Sequence, residues 1–181
     1  MIGIVEIIAE VVKEMEKDLT ITYPNGEVVE SPSLKYIFGN AQYVKDKLDE
    51  YSQSDDEIKF PLVALFCPVK ETRNSSSYHS RVSLNLVLAC SSDKEWSNEQ
   101  RLEYSFKNVL RPMYERLLEV LKGMDDRFLV EYDGHIPHDY LENYSYGRYG
   151  AFTESGEEVS EPIDAINIRS MELIIKNHSC R

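Results

Sequence analysis

Residues 79–121, HSRVSLNLVLACSSDKEWSNEQRLEYSFKNVLRPMYERLLEVL, change hydrophobic period in mid-course, and that change decides the fold. From 79 to 90 the period is two. Val82, Leu84, Leu86 and Leu88 fall on one side and Ser83 and Asn85 on the other, which predicts a strand with one buried face. From 98 to 122 the period is helical, with Leu102, Phe106, Val109, Leu110, Met113, Leu117 and Leu121 in one stripe. Ser97 and Gln100 have the spacing of a capping box, and Gly123 stands where a left-handed cap would end the helix. Pro112 lies inside the stripe. It removes a backbone donor and crowds the turn before it, which predicts a kink near Asn108–Arg111. Trp96, just ahead of the cap, is placed to staple onto the helix start.

Upstream, PLVALFCPV (61–69) is almost wholly apolar between Pro61 and Pro68, the pattern of a strand buried on both faces. The polar KETRNSSSYHS (70–80) joins the two strands as a hairpin tip. Nearer the N-terminus, Ile4, Ile7, Ile8, Val11, Val12 and Met15 recur at helical spacing over residues 2–17. LTITYPNGEVVE (19–30) alternates about Asn25-Gly26, a hairpin signal because both residues tolerate positive φ. AQYVKDKLDEY (41–51) predicts a short helix followed by a polar loop. Downstream, RFLVEY (127–132) reads as a strand, and residues 134–162, rich in glycine and tyrosine, read as one extended irregular loop. In the closing strand DAINIRSMELIIK (164–176), Ile166 and Ile168 share a parity while Met171, Leu173 and Ile175 take the other. A bulge near Arg169–Ser170 would bring both sets to one face. With no internal repeat and no linker, residues 1–181 predict a single α+β domain. Its mainly antiparallel sheet should carry the N-terminal helix and the long helix (98–122) on one face.

The net charge of −12, from 32 acidic and 20 basic residues, argues against sequence-specific nucleic-acid binding, because such a surface repels phosphate backbones. An acidic lining would, however, suit a channel through which DNA slides without sticking. The first residues lack a basic leader, and Glu6 and Glu10 break the apolar run, so neither a signal peptide nor a membrane span is expected, and the protein is expected to stay in the cytoplasm where it is made. Cys67, Cys90 and Cys180 are odd in number and lack paired spacing. Cys67 and Cys90 lie in apolar runs and read as small buried hydrophobes.

Little in the chain calls for catalysis. His135 and His138, with Asp133, Asp139 and the distant His79, have the residue types of a zinc or iron site, and a metal-dependent hydrolase is the alternative they raise. Gly134 and Pro137 place the pair on a turn rather than a helix face. No nucleophile elbow surrounds Ser83 or Ser105, and the glycines are too scattered to cradle a phosphate. The doublets Asp55-Asp56, Asp125-Asp126 and Glu157-Glu158 read as solvated. No catalytic, cofactor-binding or metal-ligating residue is therefore assigned. The tyrosines suggest contact instead. Tyr140, Tyr144, Tyr146, Tyr149 and Phe152, with Arg148, crowd the 134–162 stretch, either as an interface or as anchors of that stretch to its own domain. A monomeric protein-binding module is the other alternative this cluster supports.

Taken in order, the N-terminal helix, PLVALF (61–66), RVSLNLVLAC (81–90), EQRLEYSFKNVLRPMYERLLEVL (99–121) and AINIRSMELIIK (165–176) resemble the tail-terminator and tail-completion proteins of tailed phages, the neck proteins of the head–tail joint. The likeness is one of element order and apolar spacing over most of residues 1–175. The resemblance implies a virion protein that is not an enzyme. It would form a homo-oligomeric ring, commonly of six copies, that docks other neck or tail proteins and lets DNA pass as cargo. It makes segments 70–80 and 134–162 the candidates for subunit contacts, and Glu154, Glu157, Glu158 and Glu161, with Glu142, the candidates for a lumen lining.

Overall fold

The computed structural model describes residues 3–52, 60–73, 79–129, 134–149 and 161–176. Its elements run α1 (Ile4–Glu16), β1 (Thr20–Thr22), β2 (Val28–Glu30), β3 (Lys35–Gly39), α2 (Ala41–Ser52), β4 (Leu62–Arg73) and β5 (His79–Ser91). The long helix follows as α3 (Asn98–Arg101), a π-helical stretch (Leu102–Leu110) and α4 (Arg111–Gly123). Then come β6 (Phe128–Leu129), β7 (Asp139–Tyr149) and β8 (Glu161–Lys176). The class is α+β, as the change of period predicts.

One sheet runs β3-β4-β5-β8, and the far edge of β8 is shared by β7 and β6. Every pair is antiparallel except β3 with β4, and β1–β2 form a separate ribbon. The ribbon turns through Gly26 at φ +85°, the left-handed value that glycine adopts without penalty. Val82, Leu84, Leu86 and Leu88 bury the predicted face of β5 against α1 and the long helix, together with Val63 and Leu65 of β4. Burying each such side chain contributes about 1.5–3 kcal/mol before the entropy of ordering it is set against the gain.

The bulge in β8 falls where its sequence requires it. Leu84 pairs with Met171 and Leu86 with Ile168, so β8 spends one residue more than β5 across Arg169–Ser170. Ile166 and Ile168 thereby join Met171, Leu173 and Ile175 on the helix face. Ser170 takes φ +52°, and its N–H donates to Asn85 Oδ1 at 3.0 Å.

Several expectations are corrected. β3 was not predicted, because Lys35–Gly39 is short and holds one fully buried apolar residue, Ile37. α2 packs on the sheet face opposite the other helices, where Val44 meets Ile37, Ala64, Val87, Ala89 and Ala165. β4 does not stop at Pro68 but continues to Arg73, with a register irregularity between Phe66 and Lys70 that accommodates the missing donor. The irregularity ahead of Pro112 takes the form of the π-helical stretch, closed by a hydrogen bond from Arg111 N–H to the Phe106 carbonyl. Its wider turn relieves the crowding that proline imposes on the carbonyl before it. The capping box of Ser97 and Gln100 is formed in both directions. Gly123, by contrast, is the last helical residue, and the chain leaves the helix at Met124 with φ −86°. Trp96 packs edge-on against Tyr104, two turns in, rather than onto the first turn. Cys90 is buried as expected, whereas Cys67 is only half-buried.

Removing the bulge cap tests this account of β8. Asn85→Ala should cost about 1 kcal/mol, the worth of one hydrogen bond that leaves a donor behind. Ser170→Gly should stabilise the fold by relieving the positive φ. Chemical denaturation of the two variants beside the parent protein reads both signs.

Candidate functional site

The stretch expected to be one irregular loop contains β7, eleven residues of strand paired with β8. Aromatic residues favour a pleated, half-buried surface, which is what alternate tyrosines find here. Tyr140 pairs with Ile168 and Glu142 with Ile166, so both lie on the face that bears the long helix. Tyr144 continues the series and stacks on Phe106, ring centroids 4.3 Å apart. Tyr140 meets Tyr114 edge-on at 4.7 Å, and its hydroxyl donates to Glu142 Oε1 at 2.6 Å. Arg111 spans the same carboxylate with Nε at 2.7 Å and Nη2 at 3.1 Å. This fork holds the Glu142 carboxyl below its ordinary value, against the opposing pull of partial burial. Burial and then the neighbouring carboxylate push the Tyr140 hydroxyl up.

Tyr140 and Tyr144 thus grip their own long helix while remaining partly exposed. Tyr146, Arg148 and Tyr149 lie on β7, but their side chains are outside the described part of the molecule. Phe152, Glu154, Glu157 and Glu158 lie outside the described residues, and Glu161 is placed only as the first residue of β8. Of the segment 70–80, residues 70–73 and 79–80 belong to β4 and β5 rather than to a loop, and residues 74–78 lie outside the description.

The histidines do not converge. His138 Nδ1 lies 2.6 Å from the Ile136 carbonyl, which can only accept, so that nitrogen carries the proton. Its Nε2 shares a hydrogen bond with the Tyr114 hydroxyl at 2.8 Å, so both ring nitrogens are engaged within the chain. His135 stands apart on the wall of a cavity of about 220 Å³ with Lys70, Arg81, Leu129 and Glu172, and His79 opens β5 opposite Lys176. Among the described residues, no three His, Cys, Asp or Glu side chains are grouped to hold a metal ion.

A polar cluster that the sequence analysis missed lies between the long helix and the sheet. Asp164, 0% exposed, accepts from Arg101 Nη1 at 2.8 Å and from the hydroxyls of Ser92 and Ser105 at 2.7 Å each. Arg101, 5% exposed, also donates to Ser92 Oγ and to the Asp93 carbonyl, both at 2.7 Å. The thiol of Cys90, paired with Asp164 across the ladder, is pushed up to about 12 by burial. The Ser105 hydroxyl opposes that shift and the Asp164 charge adds to it. A thiol this reluctant to ionise is no nucleophile. The available signal was Arg101 and Ser105, one turn apart on the helical stripe, and an Asp flanked by Ile163 and Ala165. The hydrogen bonds of Arg101 and Asp164 are satisfied within the cluster, while Cys90, Ser92 and Asp93 at its margin also line a cavity of about 280 Å³ with Tyr23, Phe60, Trp96 and Tyr104.

No protein-family model matches the chain, and no curated protein matches its sequence.

Two measurements follow from these geometries. Arg101→Met should cost about 3–5 kcal/mol, because it strands a buried carboxylate, and adding Asp164→Leu should restore much of that loss. A double-mutant cycle in denaturant gives the coupling. Glu142 has a depressed folded pKa, so its contribution is fully present above the ordinary value of 4.5 and is lost as pH falls through the lower one. Because the Arg111 side chain is 40% exposed, that contribution is discounted for solvent to about 0.5–1 kcal/mol. Glu142→Gln should therefore destabilise by this amount at neutral pH and by nothing below the folded pKa, as read from unfolding curves at the two pH values.

Proposed function

We propose that this chain is a structural, non-catalytic subunit that assembles head to tail with identical copies into a ring. In this reading it acts as a tail terminator or connector at the head–tail joint of a tailed phage, docks neighbouring neck or tail proteins, and lets DNA pass. One observation carries the reading: the exposed large apolar side chains gather at two unlike ends of the sheet. Phe38 lies on β3, and Tyr43 at the start of α2 sits over the neighbouring Gly39, where a Cβ would come within 2.5 Å of the tyrosine ring. At the opposite end are Leu129 on β6 and Tyr140, Leu141 and Tyr144 on β7. Of the large hydrophobic side chains exposed among the described residues, only Val28 lies elsewhere. Two different sticky patches on one subunit make heterologous contacts, and a rotation that closes such contacts gives a ring.

The order of elements supports the phage assignment: an amphipathic helix, two adjacent antiparallel strands, a long helix across the sheet, and a late strand beside the second. No helix among the described residues is long and apolar enough to cross a membrane. The engaged nitrogens of His138 and the self-satisfied Asp164 cluster weigh against the hydrolase alternative.

Multi-angle light scattering and negative-stain microscopy test the reading. The expected result is a ring with a mass near six times the 21.0 kDa of the chain, formed alone or on the assembled particle. A lone 21.0 kDa species in both settings sinks it.

A further inference from the structure

Successive residues of a strand send their N–H and C=O groups to opposite neighbours, so one known bond fixes the parity of a whole ladder. Lys35 N–H donates to the Pro61 carbonyl at 2.9 Å, and Ser92 N–H to the Pro162 carbonyl at 2.9 Å. From the first bond, Lys35, Ile37 and Gly39 face β4, and Tyr36 and Phe38 face away from the sheet. From the second, the even-numbered residues of β8 up to Ile168 face β5, and the odd-numbered ones face β7. Asp139, Leu141 and Asn143, opposite Arg169, Asn167 and Ala165, are therefore turned to β8, and Tyr140 and Glu142 face away. Beyond the bulge the parity must reverse. The bonds from Glu172 N–H to Pro137 and from Lys176 N–H to Arg127 show that it does. Among the described residues, nothing accepts from or donates to the outward backbone groups of Tyr36, Phe38, Tyr140 or Glu142.

The two open edges also match in height and direction. Following the registers across the sheet, one row reads Tyr36, Val63, Leu88, Ile166, Glu142, and the next but one reads Phe38, Leu65, Leu86, Ile168, Tyr140. β3 runs with β4, each later step reverses direction, and so β7 runs opposite to β3. A second copy displaced sideways along the sheet thus meets the first as an antiparallel pair, with neither a flip nor an axial shift.

We propose that β3 of one copy adds to β7 of the next, Phe38 opposite Tyr140 and Tyr36 opposite Glu142, so that the sheet runs on from subunit to subunit. This join rests on the ring reading above and specifies its contact. Each of the two pairs exchanges two backbone hydrogen bonds. Phe38, 46% exposed, comes to lie beside Tyr140, 38% exposed, on the long-helix face, while Leu141 meets Ile37 on the α2 face. The occupant of each edge is the unlike edge of another copy, because β3 and β7 match in height and run antiparallel under a sideways shift alone.

Cysteine cross-linking tests the join. In a Cys67→Ser, Cys180→Ser background that keeps the buried Cys90, Phe38→Cys with Tyr140→Cys should yield, with a short bis-maleimide, a ladder of covalent multimers ending at the ring size. Either single variant should stay monomeric on a reducing denaturing gel. Phe38→Lys, with an unchanged circular dichroism spectrum, should raise the concentration needed for assembly at least tenfold. If the parent protein forms rings but the double variant links no better than the singles, the join is wrong and the ring stands. Dimers from a single variant mean like-to-like edge pairing and overturn the proposal. If the parent protein stays monomeric alone and on the particle, the join and the ring reading fall together.

Discussion

β8 has to keep one apolar face against the long helix while its own sequence changes parity half-way along, and the rest of the structure depends on how that conflict is resolved. The extra residue at Arg169–Ser170 lets Ile166, Ile168, Met171, Leu173 and Ile175 reach the same core, at the cost of a positive φ at Ser170. A one-residue slip without the bulge would turn half of these side chains outward. The bulge also reverses which backbone groups point to the far edge, which is why that edge is divided. β7 takes the groups before the bulge, and Pro137 and β6 take those after it.

Below the bulge, the same strand brings Asp164 under the start of the long helix. There Arg101 fixes one end of that helix to the sheet. Farther along, Arg111 and the ring contacts of Tyr114 and Phe106 tie it to β7. The helix is thus held to the sheet by charge at both places and by apolar packing between. A buried ion pair of this kind adds little net stability over a hydrophobic pair, but it penalises every register that leaves a charge alone. Here it ties the register of β8 to the rotation of the helix.

The fold was legible wherever one face is buried and the other is not. The alternation of Val82 to Leu88, the stripe from Leu102 to Leu121, the Asn25-Gly26 turn and the parity slip in β8 each state a period that only one element satisfies. Legibility failed where a strand carries no such contrast. β3 is short and lies at an edge, and β7 alternates tyrosine with polar residues, which reads as a loop until its partner is known. The site was less legible than the fold. Tyr140 and Tyr144 were identified, but their partners Phe106, Arg111 and Tyr114 come from a separate element, and no spacing within 134–162 names them. Arg101 and Asp164 are 63 residues apart, and each alone looks like an ordinary polar position.

Proteins that work alone blunt their open sheet edges with lysine, proline or short irregular strands. The outward positions identified here are Tyr36 and Phe38 on one edge and Tyr140 and Glu142 on the other; none is lysine or proline, and the one charge among them, Glu142, is held by the Arg111 fork. Charge supplies a restraint of a different range. Copies bearing −12 repel one another at a distance, and that repulsion fades within about 8 Å at physiological salt. In the proposed join, association is then driven by terms that act only at contact, namely backbone pairing and the burial of rings already standing at the edges. Such a surface discourages random sticking in solution, and the proposed join is the approach that aligns both edges at equal height.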